Sequence, residues 1–172
     1  MSVTIDEFRK SFGYGARLNL FEVHLTFPFG GDAEEFTIHC KAASFPASRE
    51  IEQIEIPYMG DSIQIAGDKA PLPGDVSFVF FNKEDYLLRN SFELWIETIQ
   101  QDNTGFRTSP DLYQSPYCQI WQLDHLHQPI RKVELVRSWP KGVSEITFGH
   151  EQRGLTETTI NMAYDYWKIV AL

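Results

Sequence analysis

Two histidines two residues apart, His125 and His127, are the side chains best suited to bind a metal ion. Alternate residues of a strand share one face, so both imidazoles could reach the same ion. A zinc site needs three or four ligands, however, and no third Cys, His or acid is tied to this pair by its spacing. Gln128-Pro129 follows the pair and places it at a strand end or in a turn, where exposed histidines are common. We therefore predict no metal site.

Nucleophilic and acid–base chemistry has no support in the sequence either. Cys40 and Cys118 are the only cysteines, and their apolar or strand-forming neighbours predict free buried thiols. The chain has no Gly-x-Ser-x-Gly motif, and no pair of carboxylates has the apolar surroundings that would raise a pKa. Gly13-Tyr14-Gly15 lacks the third glycine of a nucleotide-binding loop. We predict no enzymatic activity and no cofactor.

Length and charge narrow the class of protein. The chain has 172 residues, 42% of them hydrophobic, which is enough for one domain with a sizeable core. The aromatic content of 14% fits either an aromatic-rich β core or side chains buried against other chains. The net charge of -9 argues against a nucleic-acid binder, which needs a basic face for phosphates. We predict no signal peptide, and no run approaches the roughly 18 apolar residues of a membrane helix.

Alternating apolar and polar residues predict strands along most of the chain. The predicted strands cover residues 18–27, 37–43, 61–66, 76–81, 117–126, 130–139, 143–148 and 155–166, with a short one near 51–56. One amphipathic helix is predicted at about 82–101, with Asn82 as its cap and Glu84 and Asp85 in its first turn. Its apolar face consists of Leu88, Phe92, Trp95, Ile96 and Ile99. These elements predict a mainly β fold, an antiparallel barrel or sandwich with one packed helix.

Two segments fall outside this regular pattern. Residues 1–17 have mixed polarity, and Gly13 and Gly15 near their end indicate a break before regular structure begins. This pattern predicts an N-terminal arm. Residues 44–75 are long, acidic and interrupted by prolines, and a stretch of this kind in a compact domain usually has a function. We predict a single domain, 1–172, that carries the arm and a long loop or hairpin.

The chain resembles the tail tube proteins of contractile-tailed bacteriophages (myoviruses) along nearly its whole length. The similar segments are Asn19-Leu20-Phe21, Lys41-Ala42-Ala43-Ser44-Phe45-Pro46, the stretch from Ile56-Pro57-Tyr58-Met59-Gly60 to Lys69, the helix, and Ala163-Tyr164-Asp165-Tyr166-Trp167. No single segment is diagnostic, but their order and spacing together are fairly specific. Type VI secretion tubes and other contractile injection systems share the same fold and are the close alternative.

The resemblance implies a structural virion protein of the ring-forming tail-tube fold. Tubes of this family are stacked hexameric rings in which the subunits' sheets join into a continuous barrel around a DNA channel. The implied partners are further copies of the chain, the sheath protein, the baseplate or tube initiator, and the tail terminator. The tape measure protein and double-stranded DNA would pass through the lumen without specific binding, and this subunit would not enter a membrane. Assembly would take place in the host cytoplasm. The rival from another class is a soluble ligand-binding β-barrel.

The resemblance also gives three groups of residues an expected role. Residues expected to mediate stacking between rings are Ile51, Ile54, Ile56 and Tyr58. Residues expected to face the lumen, on the last predicted strand, are Glu157, Thr159, Asn161 and Asp165; the alternative for this face is the solvated outside of the protein. Residues expected to face the sheath, on the polar side of the helix, are Glu93 and Glu97.

Overall fold

The computed structural model describes residues 4–30, 33–72 and 74–172. Residues 1–3 of the predicted arm and Pro73 of the predicted segment 44–75 lie outside the described residues. The helices are α1 (Ile5–Phe12), α2 (Ala33–His39), α3 (Leu87–Ile99) and α4 (Pro110–Tyr113). The strands are β1 (Phe21–Thr26), β2 (Cys40–Ala43), β3 (Ile51–Tyr58), β4 (Asp61–Lys69), β5 (Val76–Phe81), β6 (Tyr117–Leu123), β7 (Pro129–Val136), β8 (Trp139–Val143), β9 (Glu157–Ala163) and β10 (Tyr166–Val170).

The strands form two four-stranded sheets and a separate two-stranded ribbon. The strand order is β1-β6-β7-β10 in one sheet, here the β1 sheet, and β2-β5-β9-β8 in the other, here the β9 sheet. All the pairings are antiparallel. β3 and β4 pair only with each other within the described residues, and we call them the β3–β4 hairpin. The predicted mainly β, antiparallel fold is confirmed.

The core is a single apolar cluster that both sheets share. Alternate residues of β5 are buried, and Phe78 lies opposite Ile160 of β9 in the strand register. Val23 and Leu25 of β1 contribute from the other sheet. The strands predicted at 18–27 and 76–81 therefore each turn alternate residues into the core.

Helix α3 closes one side of this core, but it is shorter than predicted. Leu88, Phe92 and Trp95 are buried, as the apolar stripe predicted. The predicted cap was wrong, because the helix begins after Tyr86, which is in the left-handed conformation at φ 53°. Asn82 lies well before the helix, and its side-chain oxygen accepts a hydrogen bond from the Thr158 hydroxyl at 2.9 Å. Glu84 and Asp85 also precede the helix rather than form its first turn.

Helix α2 is a second packed helix that the alternation pattern missed. The sequence predicted a strand over 37–43, whereas only β2 at its end is a strand. The helical turn buries Phe36 completely, where its ring lies 5.6 Å from that of Phe92, and leaves Ile38 70% exposed. The arm also contains regular structure, since α1 lies within residues 1–17. Over so few residues, an apolar spacing of two cannot be told from one turn of helix.

The C-terminal strands differ from the predicted ones in their bounds. The predicted strand 130–139 is split by Arg137, which turns the chain at φ 55°. Pro140 was predicted to separate strands but lies inside β8, which is an edge strand where a missing amide donor is tolerated. Residues 144–156 contain no strand, and the last strand is β10 rather than a continuation of β9.

Candidate assembly surfaces

The β3–β4 hairpin turns through two residues, Met59 and Gly60, both at positive φ (48° and 88°). Two-residue loops of this kind match the right-handed twist of paired strands, and they favour Gly, Asn or Asp at both positions. Met59 is an unfavourable choice for a left-handed backbone, yet it is 91% exposed at the tip. Its side chain therefore has no contact in its own chain that explains its presence there.

One face of the hairpin is apolar and the other is polar. Ile54 pairs with Ile65 and Ile56 with Ile63, which places four isoleucines on one face, while Glu55 opposite Gln64 lies on the other. The four isoleucines are 45–59% exposed, and Tyr58 at the same face is 64% exposed. Monomeric proteins rarely expose a contiguous apolar patch of more than a few hundred Å². The apolar face thus has the character of an interface.

The residues predicted for stacking are brought together only in part. Ile54, Ile56 and Tyr58 share the apolar face, because they alternate along β3. Ile51 is 56% exposed but lies beyond an irregularity in the pairing between Ile51 and Gln53. Ile63 and Ile65 of β4 complete the face and were not among the predicted site residues.

The base of the hairpin is closed by one hydrogen bond and tied to the body by another, and both are accepted by backbone carbonyls. Arg49 Nε donates to the carbonyl oxygen of Ala70 at 2.8 Å, which joins the two ends of the hairpin. Trp167 Nε1 on β10 donates to the carbonyl of Ala47 at 3.1 Å. The hairpin is therefore held at its base, while its strands remain uncovered.

The outer face of the β9 sheet carries three of the four residues predicted to face a lumen. Thr158, Ile160 and Met162 are buried, so Glu157, Thr159 and Asn161 lie on the opposite face. The only carboxylate of these three, Glu157, accepts a hydrogen bond from Lys41 Nζ at 2.6 Å and forms an ion pair with it. The side-chain oxygen of Asn161 accepts from the Ser77 hydroxyl at 2.9 Å. These three positions are polar, but the register also places Val79 and Phe81 of β5 on this face, and Lys41 Nζ lies 5.4 Å from the centre of the Phe81 ring.

Asp165 does not lie on β9, so its predicted place on the same strand was wrong. It follows Ala163, where β9 ends, and precedes β10. Its carboxylate accepts from Arg137 Nη1 at 3.3 Å. A continuous alternation through 155–166 suggested one strand, but the chain turns between the two sheets at this point.

The outer face of the β1 sheet carries larger side chains in a connected cluster. The Trp121 ring lies 4.1 Å from the His24 ring and 4.3 Å from Lys132 Nζ. Trp121 Nε1 donates to Gln119 Oε1 at 2.8 Å, and Gln119 Nε2 donates to Glu134 at 3.0 Å. This cluster was not predicted, because its members come from three strands and only the register brings them together.

The two carboxylates predicted to face the sheath have different surroundings on α3. Glu93 is exposed and forms an ion pair with Arg89, whose Nη1 also donates to the carbonyl of Ser144. Glu97 is half-buried, and its side chain accepts a hydrogen bond from the Asp102 amide at 3.2 Å, just beyond the helix end. Glu97 thus supports the chain that follows α3, whereas Leu94, 58% exposed, is the larger apolar feature of the outer side.

Helix α1 carries an apolar stripe with none of its eight residues buried. Ile5, Phe8 and Phe12 recur at helical spacing, and they are 67%, 58% and 59% exposed. The helix begins with a capping box, in which Thr4 Oγ1 accepts from the Glu7 amide and Glu7 accepts from the Thr4 amide. The latter bond lowers the pKa of Glu7.

The residues suited to chemistry form no reactive site within the described ranges. His125 and His127 lie exposed in a turn, where the Asp124 carboxylate accepts from the amides of Leu126 and Gln128. No group of three or more His, Cys, Asp or Glu that could hold a metal ion occurs among the described residues. Both cysteines are free, and burial raises the pKa of each thiol to about 12. None of the described helices has the length and apolar character needed to cross a membrane.

Comparison by sequence identifies one family. A family model described as phage tail tube protein matches residues 16–170, which is nearly the whole chain and leaves out α1. A search of curated proteins by sequence finds no match.

Comparison of structures finds the same fold in contractile injection systems. The tube-terminating cap of the anti-feeding prophage is 13% identical, with a TM-score of 0.67, over 100% of this chain and 97% of that chain. A chain of the sheath–tube complex of an extracellular contractile injection system, PVC, is 14% identical, with a TM-score of 0.63, over 99% and 100%. A chain of the sheath/tube terminator of the same system is 12% identical, with a TM-score of 0.66, over 92% and 98%.

Proposed function

The chain belongs to the phage tail tube protein family, and on this basis we propose that it polymerises as stacked hexameric rings into the inner tube of a contractile phage tail. The subunit is structural and has no enzymatic activity. The tube templates the sheath and conducts DNA into the host.

The observation that carries this proposal is the uncovered apolar face of the β3–β4 hairpin. An isolated two-stranded hairpin is marginally stable in water and needs a further strand, or an element packed on its apolar face, to become stable. Four half-exposed isoleucines are therefore best explained by a neighbouring copy of the chain that covers them. In a tube, Ile54, Ile56 and Tyr58 contact the adjacent ring, and Ile51 lies near the edge of this contact.

The strand order of the β9 sheet supports closure into a ring. β2 and β8 are its two edges, and they run in opposite directions because each neighbouring pair is antiparallel. β8 of one copy can thus pair with β2 of the next and continue the alternation, which removes both exposed edges. Six such sheets, at about 4.8 Å per strand and a tilt of about 40°, give a circumference of roughly 150 Å. The diameter is then nearly 50 Å, which leaves room for duplex DNA after about 10 Å of side chains.

The character of the two outer faces favours the β9 sheet as the lumen wall. DNA slides freely along a surface without unpaired cations or exposed rings, since cations hold phosphates and rings stack on bases. On the β9 sheet, Lys41 lies over the half-buried Phe81 ring and is ion-paired with Glu157, while Thr159 and Asn161 are short and uncharged. The β1 sheet presents the larger ring of Trp121 beneath Lys132.

The other partners follow from the same assembly. The outer side of α3, with Glu93, Glu97 and the exposed Leu94, faces the sheath protein. The tube grows from a baseplate or initiator protein and ends at a terminator, and the tape measure protein and DNA pass through it without specific binding. The subunit enters no membrane and is assembled in the host cytoplasm into the virion tail. The fold it shares with injection-system proteins keeps a tube of such a system as the second candidate.

Negative-stain electron microscopy of the purified protein tests the proposal. Rings and long tubes with an open bore are expected. A protein that stays monomeric or dimeric at every concentration would instead support a ligand-binding domain and contradict the proposal. Electron microscopy of particles from the source lysate separates a phage tail from an injection system. Tubes in tails joined to DNA-containing heads belong to a phage, whereas tubes in headless particles belong to an injection system.

The lumen assignment has its own test. Replacing Glu157 and Asp165 by Lys leaves Lys41 and Arg137 without their partners and adds two further cations. Tubes of the double variant should retain added DNA, and retention should fall as salt rises, because bound counterions are released on binding. A DNA retention equal to that of wild-type tubes would place these residues outside the lumen.

A further inference from the structure

Helix α1 is too short to be stable without a partner. Isolated helices of fewer than about 12–15 residues are marginal in water, and α1 has eight. Its Ile5, Phe8 and Phe12 all stay more than half exposed in the single chain. Gly13 and Gly15, at φ 57° and 65°, separate α1 from β1 and give the helix its own direction. The helix therefore presents an apolar face that its own chain leaves more than half exposed.

The β3–β4 hairpin has an apolar face that also lacks a packing partner in its own chain. A two-stranded ribbon becomes stable when a helix packs on its apolar face, and an amphipathic helix becomes stable when it packs on a sheet. Each element lacks this layer in its own chain, because the isoleucines of the hairpin and the stripe of α1 are all exposed.

We propose that α1 of one copy packs its apolar stripe on the apolar face of the β3–β4 hairpin of a neighbouring copy. The contact joins Phe8 and Phe12 to Ile54, Ile56, Ile63 and Ile65. This inference rests on the proposed stacking of rings and names the surface that the hairpin contacts.

The dimensions of the two faces agree. From Ile5 to Phe12 the helix rises about 10 Å, at 1.5 Å per residue. From Ile54 to Tyr58 the strand extends about 13 Å, at 3.3 Å per residue. A helix of about 10 Å diameter also covers two strands spaced about 4.8 Å apart. One α1 thus covers the isoleucine face of one hairpin.

The charges of the two elements are complementary. The hairpin, residues 51–69, carries four acids and one lysine, the acids being Glu52, Glu55, Asp61 and Asp68 and the lysine Lys69. Helix α1 has its acids, Asp6 and Glu7, in the first turn and its bases, Arg9 and Lys10, in the last turn, so its C-terminal end is the basic one. Orienting this basic end toward the acidic ribbon gives the contact a preferred direction.

Disulfide trapping between two single-cysteine variants tests this contact. Phe8→Cys and Ile56→Cys subunits are mixed, assembled into tubes and oxidised. A disulfide-linked dimer on a non-reducing gel is expected, and because the cysteines are on different chains the bond must form between copies. Cys118 is buried and Cys40 is half-buried, and the wild-type protein measures their background.

Two matched variants serve as controls. Lys10→Cys lies on the opposite side of α1, and Gln64→Cys lies on the polar face of the hairpin. Lys10→Cys mixed with Ile56→Cys should give far less dimer than Phe8→Cys mixed with Ile56→Cys. Phe8→Cys mixed with Gln64→Cys should likewise give far less dimer. A Phe8→Cys subunit that cross-links better to Gln64→Cys, or to Phe45→Cys beside the apolar cleft of about 330 Å³ near β1, would overturn the proposal.

Hydrogen exchange on wild-type protein provides a readout that needs no variant. The amides of α1 and of β3 and β4 should be weakly protected in the free subunit and should gain protection together in tubes. Tubes in which the hairpin becomes protected while α1 does not would refute the inference and leave the stacking function intact. Failure of the wild-type protein to form tubes would refute the proposed function itself.

Discussion

Replacing Ile54 by Asp should prevent the stacking of rings without unfolding the subunit. Ile54 is at the centre of the apolar face, where it pairs with Ile65, and it is 49% exposed. No residue of the hairpin belongs to the core cluster of the described residues, so the body should fold as before. The subunit should remain able to form rings, because the edges of the β9 sheet are untouched.

The size of the effect follows from the exposed area. Full burial of an isoleucine side chain contributes about 1.5–3 kcal/mol, so covering the exposed half of Ile54 contributes about 1 kcal/mol per subunit. Placing a carboxylate in the same contact without a partner costs about 2 kcal/mol more. The sum of about 3 kcal/mol corresponds to a roughly 100-fold rise in the protein concentration needed for tube growth.

The assay measures tube growth by light scattering and negative-stain microscopy over a range of protein concentrations. Gln53→Asp is the matched control, because it adds the same charge one residue away on the polar face, opposite Ala66. Circular dichroism and thermal unfolding should be the same for both variants and the wild type. Growth of Ile54→Asp tubes at the concentration that suffices for Gln53→Asp would refute the role of the hairpin in stacking.

Three further predictions concern the body of the subunit. Trp95→Ala should lower the free energy of unfolding, measured by chemical denaturation, by about 3–5 kcal/mol. The substitution empties a fully buried site and leaves the carbonyl of Tyr113 without the indole donor that lies 2.6 Å away. A loss below about 1 kcal/mol would contradict the packing of α3. Leu94→Lys should leave tube formation unchanged and reduce sheath assembly on preformed tubes in a sedimentation assay, whereas equal sheath recovery would remove α3 from that interface. The Cys118 thiol, whose pKa burial raises to about 12, should resist thiol reagents at pH 8 until the chain unfolds. Because its pKa in the folded state lies above that in the unfolded state, this group should also make the free energy of unfolding fall as pH rises from about 8.5 toward 12, and a flat profile would contradict its burial.

The parts of the fold that the sequence predicts well are those whose burial is decided within the chain. Alternation located β1 and β5 because one side of each strand meets the core, and helical spacing located α3 for the same reason. The bounds failed where the backbone turns for local reasons, as at Tyr86 and Arg137, since a left-handed residue carries no periodic signal.

The assembly surfaces were harder to predict for a physical reason. The alternation of β4 marked Ile63 and Ile65 as an apolar face, but an apolar face on a ribbon and one on a core strand have the same pattern. Only the structure shows that this face is uncovered. The cluster around Trp121 depends on register across strands, and the place of Asp165 depends on a turn, neither of which a single strand's pattern contains.

The exposed hairpin also bears on the kinetics of polymerisation. Subunits that stack before any ring is complete must each order a marginal ribbon in exchange for few contacts, so the first stacked layer forms slowly. A subunit that arrives at a completed ring finds the complementary surface already in place and loses less entropy for more buried area. Tube length is then governed by the number of preformed ends rather than by protein concentration alone. Scattering traces should accordingly show a lag that sheared tube fragments abolish, and an unchanged lag after seeding would exclude nucleation as the slow step.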